Sequence, residues 1–311
     1  MRRILPLLAL FLAASAITAV APGEDPAAET RMSLRTSMLR LINRDRKQFG
    51  LKPVELELRT STLADAYCRT QIRNGTTGHF TLDGVAPYMR YSFGGGNDAV
   101  SENAAAWSAS YNFDAKSLYE MMRSAEDSMM REVEPHDGHR RTILDPYATH
   151  VAIGLAWDGG EFRITQEFIR RYLDWSRPLP RESSIDAPVI CSGKPRPGFV
   201  VEGITVHHDP LPQPMTATVA NRIDSYHLPD ARREYLPRLP RGRVYMDGRT
   251  GDFPLTSDGG FAFVVPFPDG PGIYTVVVWV RRPNEEATIS ASTVSIRVEN
   301  SHAGRSLAGL R

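Results

Sequence analysis

The sequence predicts an α+β chain of two units, a mixed helix-and-strand unit followed by an all-β one. Three observations carry this reading. Helical and alternating apolar patterns are interleaved between residues 32 and 175. That stretch closes on Val151 to Trp157 and Phe162 to Ile169, two alternating runs separated by Asp158-Gly159-Gly160, a turn that predicts a β-hairpin. Beyond it, short β-rich runs follow one another at turn signals. At 311 residues with 41% hydrophobic and 23% charged content, the chain has room for two cores. Its 37 basic and 36 acidic residues leave a net charge of +1, with no basic stripe interleaved with aromatics. That excludes nucleic acid as the main partner.

The N-terminus carries a targeting pattern. Arg2 and Arg3 precede an apolar run from Ile4 to Ala21, and Ala19-Val20-Ala21 offers small residues before the breaker Pro22-Gly23. Residues 1–21 therefore read as a cleavable secretory signal. The alternative is an uncleaved anchor, because the run approaches the length that spans a bilayer. No cysteine near the cleavage point indicates a lipid anchor, and no later segment is apolar enough to cross a membrane. The expected location is secreted, extracellular or in the cell envelope, with no stable span once the signal is removed.

Residues 22–31 read as a flexible lead-in. Leu34, Met38, Leu41, Ile42 and Phe49 then recur at helical spacing, and Gly50 stops the pattern. A second helix is expected over Ser61 to Arg73, capped by Thr60 or Ser61 and ended by Asn74-Gly75. The loop that follows is dense in turn formers and aromatics: Thr77-Gly78-His79-Phe80, Asp83-Gly84 and Pro87-Tyr88. His79 is placed there to face a cleft or to serve as a satisfied structural histidine. Ser101-Glu102-Asn103 follows Gly94-Gly95-Gly96 and is expected to open an alanine-rich turn, its carboxylate capping that turn or facing the cleft. A third helix runs from Asp114 to Glu132, and its methionines, Met121, Met122, Met129 and Met130, are read as core filling. His136 and His139 lie in the loop before the hairpin.

The two cysteines, Cys68 and Cys191, are too few for a disulfide framework. Their sequence positions leave two readings open, a bridge tying the halves together or two buried thiols.

The ordered set LINRDRKQFGLKPVELE, GHF, SEN, GHRRTILDPYATHVAIGLAW and ITQEF, spread over residues 34 to 173, resembles the CAP superfamily. That superfamily groups cysteine-rich secretory proteins, antigen-five allergens and plant pathogenesis-related proteins of class one. The likeness is to its cysteine-poor bacterial secreted branch. It implies an α-β-α sandwich over residues 32–175 with a cleft lined by two histidines and two acidic residues. Carried onto this sequence, His79 matches the first histidine, Glu102 the acidic residue of a glycine-glutamate-asparagine motif in which Ser101 replaces glycine, and His139 the second histidine. The second acid should lie on the third helix, where Glu120, Glu126 and Asp127 compete. Glu126 is the residue favoured here.

Two imidazoles and a carboxylate converging on one point can hold a zinc ion with a position left for water, so His79 and His139 are candidate metal ligands. The same groups without metal can act as an acid-base pair, or simply fix the cleft walls by hydrogen bonding. No helical zinc-protease motif and no nucleophile elbow occurs in the chain. Binding of a small-molecule or lipid ligand, a sterol or a cell-envelope component, is accordingly expected over catalysis. A metal-dependent hydrolase or peptidase using the same cleft is the alternative, and a structural envelope or adhesion protein is the third reading. His136 is expected to be solvated, His150 to bond locally, and His207-His208-Asp209 to form a turn.

The boundary is expected in a linker over residues 176–188, where Pro178, Pro180 and Pro188 interrupt regular structure. Strands are expected at Phe199–His207, Met215–Ala220, Arg243–Met246, Phe261–Phe267, Ile273–Val280 and Thr288–Val298. Together these read as an immunoglobulin-like β-sandwich over residues 189–300, with Arg222 to Arg243 as an exposed connection and residues 301–311 as a tail.

Overall fold

The structure is a computed structural model in which residues 26–301 are described. The signal reading over residues 1–21, the start of the lead-in and all of the tail past Ser301 lie outside them. Among the described residues no helix is long and apolar enough to cross a membrane.

The first unit is built from helices α1 (Pro26–Gln48), α2 (Leu58–Asn74), α3 (Pro87–Phe93), α4 (Ala115–Met130) and α5 (Gly138–Ile143). Its strands are β1 (Glu55–Leu56), β2 (Ala99–Ser108), β3 (His150–Asp158) and β4 (Glu161–Arg170). The lead-in reading fails from Pro26 onward, because proline's fixed backbone angle suits a helix start and the segment joins α1. The cap of α2 lies earlier than expected: the Glu57 side chain accepts from Thr60 N–H, and Gly75 ends the helix at φ 63°, a left-handed angle glycine adopts without strain. At α4 the expected start holds, with Asp114 and Ser117 forming a reciprocal capping box.

The sheet order is β1-β3-β4-β2, parallel between β1 and β3 and antiparallel elsewhere. Its two faces carry different helices. Leu34, Met38 and Ile42 of α1 and Leu118, Met122 and Met129 of α4 pack on Val151, Ile153, Phe162, Ile164 and Phe168. On the opposite face, Tyr91 of α3 packs on Ala152 and Ile169, and Cys68 of α2 meets Thr165. The alanine-rich stretch at Ser101 is strand β2 rather than a turn. Its alternation decides the matter: Val100 faces α3 while Ala105 and Trp107 pack on the α1/α4 core.

The second unit starts earlier than the linker reading placed it. Strands β5 (Leu173–Arg177) and β6 (Glu182–Ser184) already belong to its sheets, and Leu173 and Leu179 lie in its core. The prolines that suggested a linker sit between or beside these strands, where no ladder amide is needed. The remaining elements are β7 (Val189–Pro195), β8 (Val200–Asp209), α6 (Ala217–Ala220), β9 (Ala231–Tyr235), β10 (Phe261–Val265), β11 (Gly272–Arg281) and β12 (Thr288–Glu299). They form a three-stranded sheet, β10-β7-β5, and a five-stranded sheet, β6-β12-β11-β8-β9, around one shared core that includes Cys191, Phe263, Val276 and Ile296. The expected strand over Met215–Ala220 is instead coil and α6, where Thr216 caps Val219 N–H, and Arg243–Met246 lies in a turn-rich loop. His207, His208 and Asp209 end strand β8 rather than forming a turn.

The two units are joined by buried and half-buried polar contacts. Ser92 Oγ of α3 donates to Thr293 O and accepts from Ser295 N–H of β12, and Arg170 donates to Ser290 Oγ at 2.7 Å. Both cysteines are free and buried, Cys191 in the second core and Cys68 in the first unit, which answers the open question in favour of two thiols.

Candidate ligand-binding site

His79 is set by its loop. Tyr67 Oη and Gln71 Nε2, both on α2, donate to the carbonyl of Gly78 at 2.8 and 2.7 Å, pinning the backbone beside His79. The imidazole is buried, and its Nδ1 donates to Glu102 Oε1 at 2.9 Å. No hydrogen bond to its Nε2 is made among the described residues. The other oxygen of Glu102 accepts from Arg90 of α3, which also donates to the His79 carbonyl at 3.0 Å and stacks over the Tyr67 ring. Burial opposes the Arg90 charge, but Glu102, Tyr67 and Glu167 together more than offset this and the guanidinium pKa is raised overall. Glu167, opposite Glu102 across β2 and β4, is pushed above the usual carboxylate range by burial and then by the Glu102 charge. Two carboxyl groups, one guanidinium and one imidazole thus share the site.

A residue from the second unit completes it. Glu102 N–H donates to Tyr226 Oη, and that hydroxyl donates to Glu102 O at 3.4 Å. The Tyr226 ring meets the His79 ring edge-on, with centroids 4.9 Å apart. Burial, and then the neighbouring Glu102 charge, push this phenol well above its ordinary pKa, so it stays protonated and able to donate.

The family model for CAP, the cysteine-rich secretory protein family, matches residues 39–168, a stretch that covers α2, α3 and β2 and therefore His79, Arg90 and Glu102. The chain carries a CAP domain. The chain is also similar to a solved extracellular protein containing an SCP domain from Bacillus anthracis str. Ames, at 18% identity and a TM-score of 0.34. That match covers 44% of this chain and 40% of the other. No curated protein matches the chain.

Of the expected CAP cleft, the structure brings together His79 and Glu102. Glu126 is placed elsewhere. Neighbouring residues on a strand point to opposite faces, so Glu102 faces α3 while Asn103 faces α4. Asn103 meets Gln166, and Gln166 donates to Glu126 at 2.7 Å. The sheet therefore separates Glu126 from Glu102. Glu126 is fully buried, one of its oxygens has no partner, and burial pushes its pKa up to about 8.

His139 is also held apart. Its Nδ1 donates to Glu132, whose other oxygen accepts the His139 amide at 3.0 Å, and its carbonyl accepts from Asn103 on the α4 side. His79–Glu102 and His139–Glu132 are thus separate histidine–carboxylate pairs. Zinc requires several ligands converging on one point, and no group of three or more His, Cys, Asp or Glu side chains among the described residues is arranged to hold a metal. His79 and His139, held in separate pairs, do not fit a shared metal. His136 is exposed, His150 bonds to the neighbouring Thr149 Oγ1, and His207 donates to Pro229 O.

Arg90, Glu132, Glu167 and Tyr226 were not anticipated from sequence. Arg90 had a signal: an arginine among Tyr88, Met89 and Tyr91 in a helix must find a buried partner. Tyr226 had none, since its contact with Glu102 spans 124 residues.

Proposed function

We propose that this is a secreted CAP-domain protein that binds a small amphipathic ligand at the His79–Glu102 site without transforming it. The observation that carries this is the state of His79: Glu102 fixes one ring nitrogen, the other makes no hydrogen bond among the described residues, and the ring meets Tyr226, which packs with Phe80, Tyr88 and Met89. A lipid, a sterol or an envelope fragment with a polar head has that chemistry. The hydrolase alternative has less support. Both Glu102 oxygens are engaged, the Cys68 thiol is pushed up to about 12 by burial, and the second histidine belongs to another pair. The second unit is read as an immunoglobulin-like spacer or attachment module.

The test is native mass spectrometry of the chain with fatty acids, sterols and peptidoglycan fragments, wild type beside His79→Ala. One ligand class bound at one per chain by wild type and lost in His79→Ala supports the reading. Equal binding by both proteins overturns it and favours a structural envelope role.

A further inference from the structure

The connection between β8 and β9 crosses from the second unit onto the CAP domain and lies along the loop that carries His79. Its contacts are specific at both ends. Met215 N–H donates to Leu82 O at 2.7 Å, Thr77 N–H donates to Asn221 Oδ1 at 2.9 Å, and Asn221 Nδ2 donates to Gly75 O at 3.0 Å. Two glycines of the loop admit the approach of its backbone. A Cβ on Gly84, which is at φ +79°, would lie 2.6 Å from Gln213 O, and one on Gly78 would lie 3.2 Å from Ala220 O and Ile223 O. Leu211, Tyr226 and Leu228 of the strap pack with Tyr88 and Met89 of α3 and Ile273 of β11.

Near the C-terminal end of this strap, Tyr226 makes the contacts of a bound ligand. β2 is the edge strand of its sheet. An edge strand leaves amide and carbonyl groups unpaired, and at Glu102 both are taken by one phenol hydroxyl, which accepts from the first and donates to the second. The ring covers the face of the site, between His79 and Tyr88, whose ring centroid is 6.5 Å from its own.

We propose that the His79–Glu102 cleft is a tyrosine-recognising site, occupied in cis by Tyr226, and that release of the strap formed by residues 210–230 is what opens it to an outside ligand. This rests on the reading of the cleft as a ligand-binding site and assigns its occupant and its control. The chemistry it selects is a flat ring bearing a neutral hydroxyl. A phenol on an extended peptide meets that description; a phenylalanine does not, because the Glu102 amide and carbonyl would then lose their partner.

The experiment uses the full chain as Tyr226→Ala, with a synthetic peptide of residues 210–230 as the probe, followed by titration and by hydrogen exchange at the Glu102 amide. The expected result is saturable one-to-one binding to Tyr226→Ala, recovery of Glu102 protection, and at least tenfold weaker binding to wild type, where an outside ligand must displace the strap. The same peptide with phenylalanine at the tyrosine should bind roughly tenfold more weakly, for loss of the hydroxyl's hydrogen bonds. Equal affinity of the two peptides, or equal binding to wild type, would overturn the proposal. If Tyr226→Ala does not fold, Tyr226→Phe serves instead: Glu102 exchange should rise at least tenfold while Ile153 in the central strand stays protected, and unchanged Glu102 exchange would be the contrary result. The two levels separate cleanly. Peptide binding without any amphipathic ligand binding to the opened chain would sink the ligand reading alone, whereas equal ligand binding by wild type and Tyr226→Ala would sink the strap proposal alone.

Discussion

Glu126→Gln gives the CAP domain a calculable pH response. Glu126 is fully buried, its Oε1 has no partner, and burial raises its pKa from 4.5 to about 8, with a further push from Asp45. The folded chain therefore holds a proton on Glu126 between pH 4.5 and about 8 that the unfolded chain releases. Stability falls as pH rises wherever the folded state binds more protons, with a limiting slope of about 1.4 kcal/mol per pH unit from this one group. Across the whole window the loss is on the order of 5 kcal/mol, and it levels off above the folded-state pKa. Glutamine keeps the shape, accepts from Gln166 and carries no charge. The variant should match wild type near pH 4 and exceed it at pH 9 by a few kcal/mol, or roughly 10 °C in melting temperature. Because Glu167 and Asp98 are also raised by burial, the informative quantity is the difference between the two proteins' melting curves at each pH. Parallel curves from pH 4 to 9 would refute the reasoning.

Three further outcomes follow from the same geometry. Arg90→Met leaves buried Glu102 without its cation and should cost about 3–5 kcal/mol by thermal melting, and Arg90→Lys should not restore it, since lysine cannot also reach the His79 carbonyl and cover Tyr67. Gly84→Ala combines a left-handed backbone angle with a main-chain oxygen 2.6 Å from the new methyl group, so it should lower the melting temperature and speed exchange at Met215, whose amide bonds to Leu82. Cys68 and Cys191 are buried with pKa values pushed up to about 12, so neither should react with a thiol reagent in the folded chain and both should react once it is unfolded.

Much of the fold was legible because it rests on local chemistry. The Asp158-Gly159-Gly160 turn announced the β3–β4 hairpin, and Asp114 announced α4. Strand β2 was misread because Ala104, Ala105 and Ala106 are helix-favouring residues whose strand state is imposed by pairing with β4. The candidate site was half legible. His79 and Glu102 stand in short motifs that keep their meaning out of context. Glu126 could not be placed, because whether a helical acid reaches a given carboxylate depends on which sheet face the helix covers, and that is fixed by long-range packing. Tyr226 was unreadable for the same reason, arriving from a connection in the other unit.

The measurement that bears most directly on the central claim, that His79 and His139 belong to separate pairs at a binding site, is zinc affinity and stoichiometry of the chain beside His79→Ala and His139→Ala. Neither substitution should change the amount of zinc bound. One zinc per chain, lost equally in both variants, would show that the two histidines meet and would contradict it.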